Sequence, residues 1–505
     1  MPDSSAYFLG LDAGNTVIKA VIFDGAGRQV AQHAIDGQSS SPEPGHVERD
    51  LDELWVNAGT AIQNCIKAAG IKPSSIRGIG CAGHGNGLYL LDRDGAPILG
   101  VQSLDTRAAG VASELSAAHG DAFHQLCLQK PWPSQTPTLL AWVKRHRPDI
   151  YERAGTALLC KDFLAFRLTG ERVSEISDMS GCGLLRLPEG VYDDTLLSLY
   201  GLEDARDLLP PLIAPSDIAG RVTKAAAEAT GLEPGTPVIG GYFDVVSSAL
   251  GSGAGLSGDA SVIAGTWSIN QVFSETPVSD PSIFMVSAFG PDNFVSIEAS
   301  ATSAANLEWY VREFVERGGH HDDPFGHCNE RVGAVSPRLD DPLFHPFLYG
   351  SGQGAEFAAG FYGLRGWHGE GHLLRAIFEG VVFEHRRHIG VLKSAGLGFE
   401  RAFLSGGGAR SPHWPQIFAD CLGVPISVTE ADESGALGAA IGVALATGHV
   451  GSYAEGIAAM TRTAATVEPN ADLRAHYNQR FDAYLSLIKS MRGFWTHMQH
   501  KETQK

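Results

Sequence analysis

The sequence predicts an α/β protein made of two related domains that face each other. Three observations carry this. The chain has 505 residues, more than one core usually organises, so two large domains or three ordinary ones are expected. Hydrophobic residues make up 44% and charged residues 19%, which suits a well-buried core and argues against wholesale disorder. An order of strand, small-residue turn and strand, with α/β crossovers, occurs early and recurs late.

The elements follow in order. Tyr7 to Leu11 is an apolar strand ending at the turn Asp12-Ala13-Gly14-Asn15-Thr16. A second strand runs from Val17 to Phe23 and ends at Asp24-Gly25, and a third begins near Arg28. Leu51, Leu54, Trp55, Ala58, Ile62, Cys65 and Ile66 then recur at helical spacing, between Asp50 as start and Gly70 as stop. Late in the chain, Ala260–Ala264 is a strand ending at Gly265-Thr266-Trp267-Ser268, and Ile269 to Phe273 is its partner. Leu373, Leu374, Ile377, Val381 and Val382 mark a buried helix. A strand from Arg401 to Ser405 turns at Gly406-Gly407-Gly408; helix 413–422, strand 424–429 and helix 434–447 follow. Asp472 to Ile488 forms a last helix. The glycines 251, 253 and 255 place the boundary near Val245 to Ser257, giving domains 1–247 and 248–495 and a polar tail 496–505, frayed from Lys501 to Lys505.

The formal net charge of -19 argues against nucleic acid or an anionic membrane as the main partner, so an anionic ligand must be held by local donors. Seven scattered cysteines with no CxxC pair read as reduced, buried thiols of a cytoplasmic protein. No apolar run approaches a membrane span, and no basic segment precedes the first apolar stretch as in a signal peptide.

Several motifs carry chemistry. In the first turn Gly14 lets backbone approach an anion, Asn15 and Thr16 add donors, and Asp12 suits Mg²⁺ through water; an ordinary hairpin turn is the alternative. Gly265-Thr266 offers the same chemistry in the second half, and two such turns can cradle a polyphosphate. Gly240-Gly241-Tyr242-Phe243-Asp244 presents one carboxylate after an apolar strand, able to take a proton from a substrate hydroxyl or to cap a helix. His84, Asn86, Asp105 and Arg107 lie in polar clusters whose mixed donors and acceptors suit a polyhydroxylated ligand; plain loop chemistry is the alternative. Arg107 can also simply neutralise Asp105.

Other patterns are set aside. Gly78-Ile79-Gly80-Cys81-Ala82-Gly83 satisfies GxGxxG, but a strand rather than a helix follows it at Leu88–Leu91. The cluster Gly318 to Asp323 with His327 and Cys328 matches no zinc spacing and reads as a solvated loop. His385 and His388 read as residues near a helix C-terminus or on the surface.

Taken together, these residues resemble the FGGY carbohydrate kinases over nearly the whole chain. The segments fall in the family's order: Leu11 to Thr16 with Lys19, Gly80 to Leu91, Asp105-Thr106-Arg107, Lys161-Asp162-Phe163-Leu164 with Leu168-Thr169-Gly170, Gly240 to Asp244 and Gly265-Thr266. Gly360 to Leu364, Ala376 to Gly380, Ser405 to Gly408 with Trp414, and Glu433 to Ala440 complete the series. The resemblance implies two actin-like (ribonuclease H-like) domains facing a central cleft, with ATP and Mg²⁺ as cofactors. It also implies roles: Asp244 as catalytic base and, with Asp12, near the metal; Asn15, Thr16, Lys19, Gly265 and Thr266 at the phosphates; Gly407, Gly408 and Ser411 at the adenosine; His84, Asn86, Asp105 and Arg107 at the sugar. Within the family, Phe243 to Ser247, Gly265-Thr266-Trp267, Ala299 to Trp309 and Pro346 to Ser351 point toward kinases of L-xylulose and 3-keto-L-gulonate. Three features depart from the family's usual pattern: Asn15 replaces Thr, Gly350-Ser351-Gly352-Gln353-Gly354 replaces a Gly-Glu-Arg-x-Pro segment, and His84 replaces Gln. The expected reaction phosphorylates a terminal hydroxyl of a ketopentose or keto-sugar acid. D-xylulose or erythritol as substrate, or a non-catalytic actin-like ATP-binding protein, are the rivals. A homodimer is the assembly left open.

Overall fold

The computed structural model describes residues 6–290, 292–319, 322–354 and 356–502. The chain divides into two compact units. One runs to Ser257 and takes in Phe273–Ser296 and Ala431–Arg462; the other comprises Gly258–Val272, Ile297–Glu430 and the chain from Thr463 onward.

In the first unit, β1 (Tyr7–Ala13), β2 (Val17–Asp24) and β3 (Gln29–Asp36) form the antiparallel meander expected from their alternating apolar runs. Helix α1 (Leu51–Ala69) starts where Asp50 accepts hydrogen bonds from the amides of Asp52 and Glu53 at 2.8 and 2.9 Å. It stops at Gly70, whose φ of 64° only glycine adopts freely. Its buried face, including Leu54, Trp55, Ala58 and Ile62, packs into one core with Leu9, Leu11 and Ile22 of the meander. Strands β4 (Ile76–Gly83), β5 (Leu88–Asp92), β6 (Ile218–Arg221), β7 (Pro237–Ile239) and β8 (Tyr242–Phe243) follow, with α2 (Cys160–Thr169) and α3 (Asp244–Ser252) between and after them. The main sheet runs β6-β7-β4-β1-β2-β3, with β8 also on β4. The glycines of the GxGxxG pattern lie inside β4, and a strand follows them, as expected for something other than a dinucleotide loop.

The second sheet uses β9 (Ala260–Ala264), β10 (Ser268–Ser274), β11 (Met285–Gly290), β12 (Asn293–Ser300), β13 (Ala402–Ser405), β14 (Ile426–Thr429) and β15 (Thr463–Val467). Its order is β11-β12-β10-β9-β13-β14-β15. Helices α4 (Ala305–Tyr310), α5 (Glu370–Ser394), α6 (Trp414–Leu422), α7 (Ser434–Ala446) and α8 (Arg474–Glu502) complete the elements used below. The duplication is explicit in the pairing. Each sheet has an antiparallel hairpin (β1/β2, β9/β10) and two parallel neighbours in sequence (β4 and β7, β13 and β14). Each also has an antiparallel edge strand, β6 or β15. This is the α/β duplication that the sequence predicts.

Helix α7 is buried nearly all round and lies directly on the first sheet. Glycine makes that possible: a Cβ at Gly10 would sit 2.1 Å from the carbonyl oxygen of Ala436, and one at Gly80 would sit 2.6 Å from that of Ala439. All seven cysteines are free and buried. Among the described residues, no helix is long and apolar enough to cross a membrane.

One expectation is corrected. His385 and His388 are neither terminal nor on the surface: they lie inside α5 and are 0% and 1% exposed. The helix continues to Ser394, and the i, i+4, i+7 spacing of Val381, His385 and His388 puts both rings on its buried face. Of the Gly318–Asp323 loop, His320 and His321 lie outside the described residues, as do the last three residues of the polar tail.

Candidate active site

The site residues gather in two groups, one in each unit. In the first, β1 delivers Asp12 to the end of the sheet, and antiparallel register sets Lys19 of β2 opposite it. The ammonium of Lys19 meets Glu433, just ahead of α7, at 2.7 Å. Gly435 comes so close that a Cβ there would lie 2.5 Å from Asp12 Oδ2. Burial raises the Asp12 carboxyl to about 6; Lys19 opposes the rise and Glu433 adds to it.

Asp244 is the first residue of α3, reached through a kink between β7 and β8, both parallel to β4, that needs glycine. Gly241 has φ 85°, and a Cβ on it would lie 2.1 Å from the carbonyl oxygen of Cys81. Burial raises the Asp244 carboxyl to about 8; the charge of Asp12 adds to the rise, and the amide of Val245 opposes it. Asp244 therefore feels the Asp12 charge. The preceding peptide is pinned: the amide of Phe243 donates to Ser177 Oγ at 3.1 Å, and that hydroxyl donates to Glu175 at 2.8 Å. Glu175, Asp162 and Asp178 in turn surround the fully buried Lys161 at 3.1, 2.5 and 3.6 Å. The Lys161-Asp162 pair is thus the anchor beneath the Asp244 loop.

The loop at His84 and Asn86 lies against the same element, since a Cβ on Gly85 would strike the Phe243 ring at 2.2 Å. His84 is 2% exposed, and its ring is already occupied. Nδ1 faces the Gly85 carbonyl at 3.5 Å, so it carries the proton, and Nε2 accepts from Tyr89 Oη at 2.9 Å. Burial, then the charge of Arg49, pushes this imidazole down to about 3, so it is neutral. Asn86 holds φ 61°, and its Oδ1 is buried without a hydrogen-bond partner. Asp105 is fully buried and accepts from the amides of Val47 and Arg107 at 2.6 and 2.8 Å. The Arg107 guanidinium, 3% exposed, is spent on Asp105 and Glu48 at 2.8 Å each, and lies 5.3 Å from the Trp142 ring centre. Neutralisation of Asp105, the plainer of the two readings, is what its geometry supplies.

Asn15 donates to Ser103 Oγ at 2.9 Å, and Thr16 is exposed. The backbone of this turn is gripped from outside. Arg49 Nη2 donates to the carbonyls of Gly14, at 3.0 Å, and Asn15, and Gln102 donates to that of Asn15 at 2.7 Å. Sequence reasoning missed Arg49, Gln102 and Glu433, because no local pattern reports a partner that far along the chain.

The second group surrounds Gly265-Thr266, the turn between β9 and β10, with Thr266 exposed. Gly406 has φ 84° and lies on this turn: a Cβ there would be 2.9 Å from the Ala264 carbonyl. A Cβ on Gly408 would meet the Ala264 side chain at 2.7 Å, whereas one on Gly407 meets nothing within 4 Å. Ser411 Oγ donates to Asn329 Oδ1 at 2.7 Å and accepts from the amides of His413 and Trp414 at 3.2 and 3.3 Å, so it caps α6. Trp414 stacks on Phe378 with ring centres 4.4 Å apart.

Known proteins resemble this chain over most of its length. Residues 7–251 match the FGGY family of carbohydrate kinases, N-terminal domain, and residues 260–447 match its C-terminal domain. The chain is 36% identical to a probable L-xylulose kinase of Pasteurella multocida, over 96% of this chain and 99% of that one. It is 32% identical to the L-xylulose/3-keto-L-gulonate kinase of Escherichia coli, over 97% of this chain and 98% of that one. Among solved structures, xylulose kinase from Rhodospirillum rubrum superposes with a TM-score of 0.86 at 27% identity, covering 97% of this chain and all of that one.

Proposed function

The chain belongs to the FGGY family of carbohydrate kinases, and on that footing we propose that it transfers the γ-phosphoryl group of ATP to a terminal hydroxyl of L-xylulose or 3-keto-L-gulonate. The observation that carries the chemistry is the Asp12–Asp244 pair. Asp244, raised to about 8, is basic enough to accept a sugar hydroxyl proton near neutral pH, which an ordinary carboxylate does poorly. Its place at the start of α3, fixed by Ser177 and the Lys161 cluster, holds the receiving oxygen still. Phosphoryl transfer asks for such positioning and for charge neutralisation more than for covalent help.

Mg²⁺ belongs to the proposal, held by Asp12 and Asp244. Carboxylates are hard oxygen donors suited to a divalent cation, and the Asp12 charge acts on Asp244. Among the described residues, no group of three or more His, Cys, Asp or Glu is arranged to hold a metal ion; with these carboxylates, phosphate oxygens and water would complete a magnesium shell. When bound, the ion supplies neutralisation of phosphate charge. Lys19, Asn15, Thr16, Gly265 and Thr266 contact the phosphates; Gly407, Gly408 and Ser411 line the adenosine site; Asn86 and the backbone around His84 face the sugar. Asp105 and Arg107 shape that wall. A cytoplasmic location completes the reading; the seven free thiols suit a reducing compartment.

Purified chain with ATP and Mg²⁺ should convert L-xylulose or 3-keto-L-gulonate to its phosphate with one ADP released per sugar. D-xylulose and erythritol should be poorer by at least tenfold in kcat/KM, about 1.4 kcal/mol. Equal or better turnover of D-xylulose would move the substrate assignment, and no turnover of any sugar would overturn the kinase reading.

A further inference from the structure

The second turn rests on a buried hydrogen-bond chain that the reaction as described above does not use. His385 and His388 of α5, Asn270 and Ser268 of β10, Ser300 of β12, and Thr302 and Ser303 after it are all buried. The Asn270 amide lies between the two rings: Oδ1 is 2.9 Å from His385 Nδ1, and Nδ2 is 3.1 Å from His388 Nδ1. An amide has one accepting and one donating end, so the two rings cannot present the same face to it. His385 must carry its proton on Nδ1, and its Nε2 then accepts from Ser303 Oγ at 3.2 Å. His388 must accept at Nδ1, shared with the Ser268 hydroxyl at 3.1 Å, so its proton is on Nε2. That proton goes to Ser300 Oγ at 3.1 Å, and Ser300 passes the chain to Thr302 Oγ1 at 2.8 Å. Turning the amide over would reverse both rings together and leave them still opposite.

The chain ends on the turn itself. Ser268 is the first residue of β10, directly after Gly265-Thr266-Trp267. On the other flank, Ser303 precedes Ala304, whose amide donates to the Gly265 carbonyl at 2.8 Å. Both arms of the turn are thus tied to α5 through neutral groups, in a place where a charged His388 would set its Nδ1–H against the Asn270 Nδ2 donor.

We propose that His385 and His388 are positioning residues for the Gly265–Trp267 turn, locked as opposite neutral tautomers by Asn270. This rests on the proposed contact between that turn and ATP phosphates, and a closed neutral chain serves it by shaping the turn without adding a charge near them. Burial independently pushes both imidazoles down, His385 to about 3, in keeping with neutral rings.

The test has two arms. The first is long-range ¹⁵N–¹H NMR of the full chain labelled at histidine, with the two rings assigned from His385→Gln and His388→Gln. One ring should be protonated on Nδ1 and the other on Nε2 at pH 7. Two rings of the same tautomer, or a charged ring, would overturn the proposal. In the second arm, His388→Phe should raise the ATP KM roughly tenfold and change the sugar KM less than twofold, with His388→Gln recovering part of the loss. Unchanged ATP KM in a folded His388→Phe protein would remove the positioning role. The nucleotide reading is checked separately by Thr266→Val: if that variant leaves ATP KM unchanged, the turn does not contact phosphate, whatever the tautomers are.

Discussion

The turn after β1 and the turn after β9 occupy the same place, inside the antiparallel hairpin of each of two similarly built sheets, yet they are made firm by opposite means. The first is a charged turn. Asp12 and Lys19 face each other across it, Glu433 closes the pair, and the Arg49 guanidinium holds its carbonyls from behind. The second carries no ionisable side chain from Gly265 to Ser268, and its supports are neutral imidazoles, hydroxyls and one amide. A duplicated backbone therefore leaves the electrostatics free to diverge. The first turn gathers charges of both signs, and the second only neutral donors and acceptors.

The largest effect that sharpens this contrast is expected where charge is buried in pairs. Arg107→Met leaves the fully buried Asp105 without its guanidinium, and breaking such a pair typically costs about 3–5 kcal/mol of stability. Because that guanidinium is spent within the protein, kcat/KM for L-xylulose and for 3-keto-L-gulonate should fall by the same factor. Denaturant unfolding and kinetics on both sugars check the two halves. A loss confined to the sugar acid would return Arg107 to the role of carboxylate reader.

Next in size is the close backbone approach over each turn. Gly435→Ala sets a methyl 2.5 Å from Asp12 Oδ2, and overpacking of that kind costs about 1–3 kcal/mol. Because the atom displaced is a carboxylate oxygen, kcat should drop and the Mg²⁺ requirement should rise, as a metal titration of activity would show.

At the second turn, Gly407→Val points into space free of protein within 4 Å. It should leave thermal stability unchanged and raise the ATP KM by about tenfold, near 1.4 kcal/mol, with the sugar KM unaffected. Unchanged ATP binding by calorimetry would remove Gly407 from the adenosine site.

The smallest effect is on pH dependence. Asp12 is raised to about 6 and Asp244 to about 8, so the pair releases its protons in two steps as pH rises through that window. The base must be ionised, so kcat/KM for sugar in the free enzyme should climb from pH 6 to 8. Both pKa values lie above those of the unfolded carboxylates. The folded state therefore binds more protons between about pH 4 and 8, and the contribution of these groups to stability falls as pH rises through that range. Activity and stability should run in opposite directions there. A flat rate profile across the window would mean that Asp244 is not the titrating base.

Much of this was readable in the chain. The meander, the Asp50 and Gly70 ends of α1, and the small residues at 12–16 and 265–268 are local patterns with local causes. Asp244 stands out because an apolar strand and two glycines lead into one carboxylate, which in sequence alone reads equally as a helix cap. What was hidden is whatever depends on return of the chain. Residues 431–462 pack with the first unit, so Glu433 reaches Lys19 across 414 positions. Arg49 looks in sequence like one charge among Glu48, Arg49 and Asp50, and only folding sets it behind Gly14. His385 and His388 sit beside Arg386 and Arg387, and sequence alone does not show that the helix runs on to Ser394 and turns both rings inward.

The central claim is that Asp244 takes the proton from the sugar, and one side-by-side measurement tests it most directly. Wild type and Asp244→Asn are assayed for sugar phosphate formation from ATP and L-xylulose at pH 8, with ATP affinity measured on both by calorimetry. The amide is nearly isosteric and cannot accept the proton, so kcat should fall by roughly 10²–10⁴ while ATP affinity changes less than threefold. Near-normal sugar phosphorylation by Asp244→Asn would contradict the account.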